Sequence, residues 1–233
     1  MALLAGCGRW GFSDVDALSG DTLGDALGGD GMLGIDAAGL TTVSFGERPG
    51  ATHTAVTADT TISSTSPTTN NGAEDSLQLS ASVTGLLRFD ISALPPSTTV
   101  VAAAVHLATE NTPTIGVVTL YPVLESWTEG TAMGTAGVAN YTMRTAAASW
   151  TNPGAGPPSS RSTTAAASFT PTAGNTDYTI PLDANGVAQV QAWISNPASN
   201  LGFALVGTSG TGELGSRETV PAARCPLLVV TIQ

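Results

Sequence analysis

From about residue 51 onward, the sequence consists of short β-prone runs separated by clusters of turn residues. In "LLRFDI", residues 86–91, the side chains of Leu87, Phe89 and Ile91 share one face, while Arg88 and Asp90 point to the other. This two-residue alternation is typical of strands that bury one face. Runs of this kind recur at the spacing expected of stacked antiparallel sheets, so the sequence predicts a β-sandwich.

One segment has a different period. In "LDANGVAQVQAWISNP" three apolar residues recur at helical spacing, namely Val187, Val190 and Ile194. Asp183 or Asn185 can cap the start of this helix, and Asn196 ends it because a residue before proline avoids helical backbone. The predicted fold is therefore all-β, a jelly-roll β-sandwich with one short helix.

The segment in front of this domain differs in composition. Residues 8–50 are rich in glycine and aspartate and show neither a helical nor a strand period. They predict a disordered, flexible acidic linker, or tether, before a domain that spans residues 51–233.

The first seven residues contain the pattern "LAGC", which resembles a bacterial lipobox ending at Cys7. Only six residues precede Cys7 and none is basic, so the signal is partial and an ordinary disordered start is the alternative. The lipobox reading predicts a lipid on Cys7, an extracellular or cell-surface location, and a bacterial outer-membrane lipoprotein. Pairing of Cys7 with Cys225 stays open as a further alternative.

The charge balance restricts the partners that we expect. The net charge is −11 and all seven basic residues are arginine, which excludes the basic stripe needed to bind nucleic acid. Scattered arginines also disfavour polyanions such as uronic-acid polymers. Because no run of eighteen apolar residues occurs, contact with a membrane is expected only through the lipid anchor.

Several motifs follow one another in a fixed order: "DTTISSTSPTTNNGAEDSLQL", "LLRFDISALPPSTTVVAAAVHL", "ESWTEGT", "VQAWISNPASNLGFALVG", "SRE" and "ARCPLLVVT". Their order over residues 55–232 resembles the DNRLRE domain family, also described as carbohydrate-binding module family 96. Cys225 departs from the family pattern, in which a proline or polar residue is common near the last strand. The resemblance implies a secreted or surface-attached jelly roll that accompanies polysaccharide-degrading or adhesive proteins.

Four charged residues are predicted to join the central strand to the end of the chain. Arg88 and Asp90 share one strand face, and the family position of Arg217 and Glu218 implies that they lie close to it. We expect a partly buried ion network, because the planar guanidinium of arginine can meet a carboxylate with two hydrogen bonds.

Three other residues are assigned structural roles. Trp127 matches a family motif, which implies packing in a turn, and Trp193 is expected to anchor the helix to the sandwich. Glu125 and Glu129 could form a glycosidase pair, but they lie in one turn, so Glu129 is expected to hydrogen-bond loop amides instead. Two histidines and no nucleophile motif accompany them, so no enzyme is predicted.

A sugar site needs an aromatic ring that packs on the apolar side of a pyranose, with polar groups for the hydroxyls. Tyr141, Arg144 and Trp150 fall in a loop-rich region and are predicted to form the ligand surface. Jelly-roll binding modules also often carry one structural calcium ion, which prefers oxygen ligands. The predicted calcium ligands are the aspartates near strand ends, namely Asp59, Asp75, Asp177 and Asp183.

Together these features predict a non-catalytic module, secreted or anchored to the cell surface, that binds polysaccharide or another cell-envelope component. The alternative is a structural or adhesive subunit of an extracellular coat, matrix or fibre, which would self-associate through its low-charge β surface. A glycan array separates the two, because specific signal favours binding, whereas silence together with self-assembly favours the structural role.

Overall fold

The computed structural model of the protein describes residues 39–55 and 57–233. Its helix, α1, covers Ala184–Ser195. The strands in the described residues are β1 Thr41–Gly46, β2 His53–Thr54, β3 Thr57–Ser63, β4 Thr69–Asn70, β5 Ser76–Ser80, β6 Val83–Phe89, β7 Val100–Ala108, β8 Val118–Pro122, β9 Thr135–Ala136, β10 Met143–Thr145, β11 Ala148–Ser149, β12 Ala167–Phe169, β13 Asp177–Pro181, β14 Phe203–Gly207, β15 Thr211–Gly215 and β16 Leu227–Ile232.

Two curled sheets stack to form the sandwich. The first contains five strands in the order β13-β7-β16-β1-β2. The second contains seven strands. Six of them follow the order β12-β8-β14-β6-β5-β15, and β3 pairs with β6 outside this order. A bridge between Thr109 and Leu214 joins β15 to the end of β7 and closes one side. The predicted all-β sandwich with one short helix is confirmed.

The seven-stranded sheet divides at β6, and this division matters for the site. β3 pairs with β6 along its full length, from Thr57 opposite Phe89 to Ser63 opposite Val83. β5 meets β6 only where Ser80 faces Val83, next to the turn that joins them. Beyond that turn β3 and β5 diverge and leave a cleft between them.

The main core lies between the sheets and uses the alternation read from the sequence. Leu87, Phe89 and Ile91 are buried together in it, as predicted. On β7 the alternation is interrupted, because Val101 is 46 % exposed while its neighbour Val100 is buried. A shift in register opposite the end of β16 moves the alternation by one residue at this point.

The helix begins and ends where its capping residues predict. The side chain of Asp183 accepts a hydrogen bond from the N–H of Gly186 at 2.9 Å, and Asn196 forms the other end before Pro197. Trp193 is buried, and its ring meets that of Phe203 edge to face with 4.9 Å between centroids. This aromatic contact fixes α1 to the sandwich.

A second, smaller core lies on the outer face of the seven-stranded sheet. Residues 123–161 pack across that face, and Trp127 and Trp150 are buried against Ile62 and Leu86. This segment, which the sequence presents as loop, is therefore a third layer of the domain.

The boundary of the folded part differs from the sequence-based prediction. Residues 41–46 were placed in the flexible linker, but they form β1, which pairs with β16 from Thr41 opposite Ile232 to Gly46 opposite Leu227. Val43 and Phe45 enter the main core, so this short apolar alternation outweighs the glycine-rich composition around it. Residues 8–38 of the predicted linker, together with Cys7, lie outside the described residues.

Candidate functional site: a polar cleft between two diverging strands

The structure contradicts the prediction for Trp150, one of the three residues of the predicted ligand surface. Trp150 is 3 % exposed, and its Nε1–H donates to the backbone carbonyl of Asn140 at 2.9 Å. Tyr141 is half-buried, and its ring lies against Gly154, where the side chain of any other residue would collide. Trp150 is a core residue of the outer layer and presents no ring face to a sugar.

Arg144 is also held by the protein itself. Its guanidinium donates to the carbonyls of Ser126 at 2.7 Å and Ser149 at 3.2 Å, and lies 3.7 Å from the carboxylate of Glu125. Glu125 in turn accepts hydrogen bonds from the amide and hydroxyl of Thr151. These contacts stabilise the outer layer rather than leaving Arg144 available to a ligand.

None of the aromatic side chains in the described residues is fully exposed. Every phenylalanine, tyrosine and tryptophan within residues 39–55 and 57–233 is buried or half-buried.

A cleft lined mostly by polar side chains lies between β3 and β5 and is here named the polar cleft. It encloses about 400 Å³. Six hydroxyls, two amides and one carboxylate line it, from Thr61, Ser63, Thr65, Ser66, Thr69, Asn71, Glu74, Ser76 and Gln78, with Val83 and Gly134 completing the wall. Its volume falls in the range of small-molecule sites, about 300–1,000 Å³.

The groups in the polar cleft are oriented by contacts with one another. Ser63 and Thr65 share a hydrogen bond of 2.8 Å between their hydroxyls. The side-chain amide of Asn71 donates to the carbonyl and hydroxyl of Thr61, at 3.0 and 3.1 Å. Fixed donors and acceptors favour binding because less side-chain freedom is lost when a ligand arrives.

A second hollow lies beside the polar cleft and is named the adjoining hollow. It encloses about 350 Å³ and is lined by Gln78, Leu79, Ser80, Val83, Asn111, Thr211, Gly212 and Glu213. Gln78 and Val83 line both spaces. In the adjoining hollow, the amide of Asn111 donates to the carboxylate of Glu213 at 2.6 Å.

Side chains satisfy the free edge of β3, which forms one wall of the polar cleft. The carboxylate of Glu129 accepts the N–H of Asp59 at 2.7 Å, and Arg217 Nη1 donates to the carbonyl of Thr57 at 3.1 Å. The side-chain amide of Asn71 likewise donates to the backbone carbonyl of Thr61. These contacts replace a neighbouring strand, because an open edge leaves unpaired backbone groups that invite misassembly.

A charged cluster accompanies this edge. Arg217 lies 3.3 Å from Glu129 and 2.6 Å from Glu218, and its backbone N–H donates to the carboxylate of Asp59 at 2.8 Å. Asp59 is 1 % exposed, and this burial raises its pKa well above the ordinary value, helped by the nearby charges of Glu218 and Glu129. Burial likewise raises the pKa of Glu129.

The predicted ion network is therefore partly wrong in its membership. Arg217 and Glu218 belong to it, but their carboxylate partners include Glu129 and Asp59 rather than Asp90. Asp90 is exposed and accepts the N–H of Ser92 at 2.9 Å. Strand alternation places residues on a face, but it cannot show which loop returns to that face.

Arg88 has a different partner from the one predicted. Its guanidinium lies over the ring of Trp127, 5.1 Å from the centroid, and no carboxylate among the described residues forms an ion pair with it. Burial lowers the pKa of Arg88, and the charges of Glu129 and Asp90 oppose that shift. The Trp127 Nε1–H donates to the carbonyl of Leu201 at 2.9 Å, so the ring is fixed beneath the cation.

The predicted calcium ligands are not brought together. Asp59 accepts from Arg217, Asp177 from Arg48 and Asp183 from Gly186, so protein donors already occupy these three carboxylates. Asp75 is exposed at a separate position before β5. Within the described residues, no group of three or more histidine, cysteine, aspartate or glutamate side chains is arranged to hold a metal ion.

Two further features concern Cys225 and membranes. Cys225 is buried, with its sulfur 3.4 Å from the carbonyl of Arg217.

Among the described residues, no helix combines the length and apolar character needed to cross a bilayer.

The protein is a β-sandwich that carries a cleft of hydroxyl and amide groups. Residues 50–232 match the model of carbohydrate-binding module family 96. The match covers more than three quarters of the chain, and the protein belongs to this family. Comparison with curated proteins gives no match.

The polar cleft was not predicted from the sequence, because its lining contains no aromatic residue. The segment "STSPTTNNG", which has the composition of a turn, supplies Thr65, Ser66, Thr69 and Asn71 to the lining. The signal available in the sequence was the density of hydroxyl and amide side chains in β3, in β5 and in the segment that joins them.

Proposed function

We propose that the protein is a non-catalytic carbohydrate-binding module and that the polar cleft is its binding site. The observation that carries this proposal is the set of nine polar side chains around about 400 Å³ of open space. A glycan presents many hydroxyls that both donate and accept, and this lining offers both kinds of partner. Membership of the carbohydrate-binding family supports the same function.

A glycan array followed by calorimetry with the purified chain tests this proposal. Gln78→Ala removes an exposed amide from the cleft, and Gln189→Ala removes a half-buried amide from α1, outside the cleft lining. We expect the first variant to bind the selected glycan about fivefold more weakly, because one hydrogen bond contributes about 1 kcal/mol. The second should bind like the unmodified protein. Absence of any glycan signal would contradict the proposed function.

The structural or adhesive alternative has one observation in its favour. The outer face of the five-stranded sheet carries small uncharged side chains in rows, Thr42–Thr231–Ala102 and Ser44–Val229–Ala104. Such a face suits sheet-to-sheet stacking of copies. Sedimentation of the purified chain over a concentration series tests this role, since a monomer at all concentrations contradicts it.

Surface attachment and calcium binding are further proposals. The lipobox-like "LAGC" supports a lipid on Cys7, which labelling with a radioactive fatty acid tests in cells producing the chain and its Cys7→Ser variant. A structural calcium ion is tested by melting the protein with and without a chelator. A lowered melting temperature supports the ion, and an unchanged one contradicts it.

A further inference from the structure

We propose that the ligand is an uncharged polysaccharide whose chain occupies both the polar cleft and the adjoining hollow as consecutive subsites. This inference rests on the proposed function, and it adds the chemical class of the ligand and the extent of the site.

The two spaces border the same strand, β5. Ser76 and Gln78 line the polar cleft, and Gln78, Leu79 and Ser80 line the adjoining hollow, so one strand runs from the first space to the second. Val83, at the start of β6, also borders both. The exposed side chain of Gln78 therefore stands at the junction, where its amide can contact sugar units on either side.

The size of each space is sufficient for a small ligand, so the two together provide two places for sugar units. At about 400 and 350 Å³, each alone lies in the range of a small-molecule site. On the far side of the junction, Ser80 pairs with Thr211 and Gln78 with Glu213 across β5 and β15. These cross-strand pairs extend the row of polar groups into the adjoining hollow, which suits a chain rather than a single sugar.

The charges along this path select against acidic sugars. Glu74 lines the polar cleft and Glu213 lines the adjoining hollow, while neither lining contains an arginine. Among the described residues, no ion pair neutralises the carboxylate of Glu74. A carboxylate accepts short, strong hydrogen bonds from sugar hydroxyls, but it repels the carboxylate of a uronic acid.

Amino sugars are the other class that these carboxylates would tolerate. Their ammonium groups would pair with Glu74 and Glu213. The lining as a whole favours a neutral chain, because hydroxyls and amides outnumber carboxylates in both spaces.

The first experiment compares ligands by calorimetry with the full chain. Neutral hexose and pentose oligosaccharides, oligouronates and glucosamine oligomers are each used at lengths of one, two, four and six units. We expect the neutral series to bind and to gain affinity from the disaccharide to the tetrasaccharide. Oligouronates of equal length should bind at least tenfold more weakly.

The second experiment uses variants whose folding is checked by their melting temperatures. Thr211→Ala changes only the adjoining hollow, so it should weaken tetrasaccharide binding about fivefold, as expected for one hydrogen bond, and leave disaccharide binding unchanged. Glu74→Gln keeps an acceptor but removes the charge, so it should improve oligouronate binding severalfold and leave the neutral series within about twofold. Asp90→Asn is the matched control, since it removes the same charge at the other end of β6, roughly 23 Å along the strand from Val83.

The outcomes separate this inference from the proposed function. Oligouronates or glucosamine oligomers that bind better than the neutral series would overturn the ligand class while leaving carbohydrate binding intact. Neutral binding that does not depend on length or on Thr211 would overturn the two-subsite arrangement. If no oligosaccharide of any class binds, the proposed function itself fails.

Discussion

The carboxylate of Glu129 accepts the backbone N–H of Asp59 at 2.7 Å, seventy residues away in the sequence. This contact places a side chain where a neighbouring strand would otherwise pair with β3. Glu129 also lies 3.3 Å from Arg217, which donates to the carbonyl of Thr57 on the same edge. The wall of the polar cleft is therefore supported by two loops that arrive from distant parts of the chain.

Replacing Glu129 should destabilise the domain through this edge. Glu129→Ala leaves the buried N–H of Asp59 without an acceptor and Arg217 with one carboxylate fewer. We expect a loss of about 2–4 kcal/mol in the free energy of unfolding, measured in urea. Glu129→Gln retains an acceptor and should lose less than half as much. Equal losses in the two variants would show that the hydrogen bond to Asp59 is not the cause.

The buried carboxyl of Asp59 should make stability depend on pH. Its pKa is raised in the folded protein because burial disfavours the charged form. The folded state thus holds the proton more tightly than the unfolded state, so the contribution of Asp59 is favourable at low pH. This contribution is lost as the pH rises from the ordinary value of 3.8 to the raised pKa.

Asp59→Asn tests this dependence because asparagine keeps an acceptor for the N–H of Arg217 and cannot ionise. The difference in unfolding free energy should shift in favour of the variant as the pH rises above 3.8, and then become constant. Glu129 is present in both proteins, so the difference curve reports mainly Asp59. A difference that does not change with pH would show that the carboxyl titrates normally.

The position of Arg88 over Trp127 predicts a moderate role in stability. A cation above an indole ring contributes about 0.5–2 kcal/mol, and truncation also removes the packing of the arginine stem. Arg88→Ala should therefore lower the free energy of unfolding by about 1–3 kcal/mol. Arg88→Met keeps the apolar stem without the charge, so the difference between the two variants isolates the packing. An Arg88→Ala protein that melts like the unmodified one would contradict the assignment.

The sequence predicted those parts of the fold that depend on local periodicity. The alternation of Leu87, Phe89 and Ile91 and the cap at Asp183 were both readable, because strand faces and helix ends depend on neighbouring residues. The partners of Arg88 and Arg217 were not readable, because they are set by loops that return from residues 127–129 and 216–218. The polar cleft was missed for the same reason, since it exists only where β3 and β5 diverge in space.

Trp150 and Gln78 should show opposite effects on stability and binding. Trp150→Phe removes the hydrogen bond to Asn140 and leaves a gap in the outer layer, so it should cost about 1–3 kcal/mol of unfolding free energy. Because the ring faces no ligand, glycan affinity of the folded variant should stay within about twofold of the unmodified protein. Tyr141→Phe, which keeps the ring against Gly154, should leave both quantities unchanged. Gln78→Ala should weaken glycan binding and leave the melting temperature in place, since this side chain is exposed in the cleft. Reduced binding by Trp150→Phe at a temperature where it is fully folded would return the ligand surface to the outer layer.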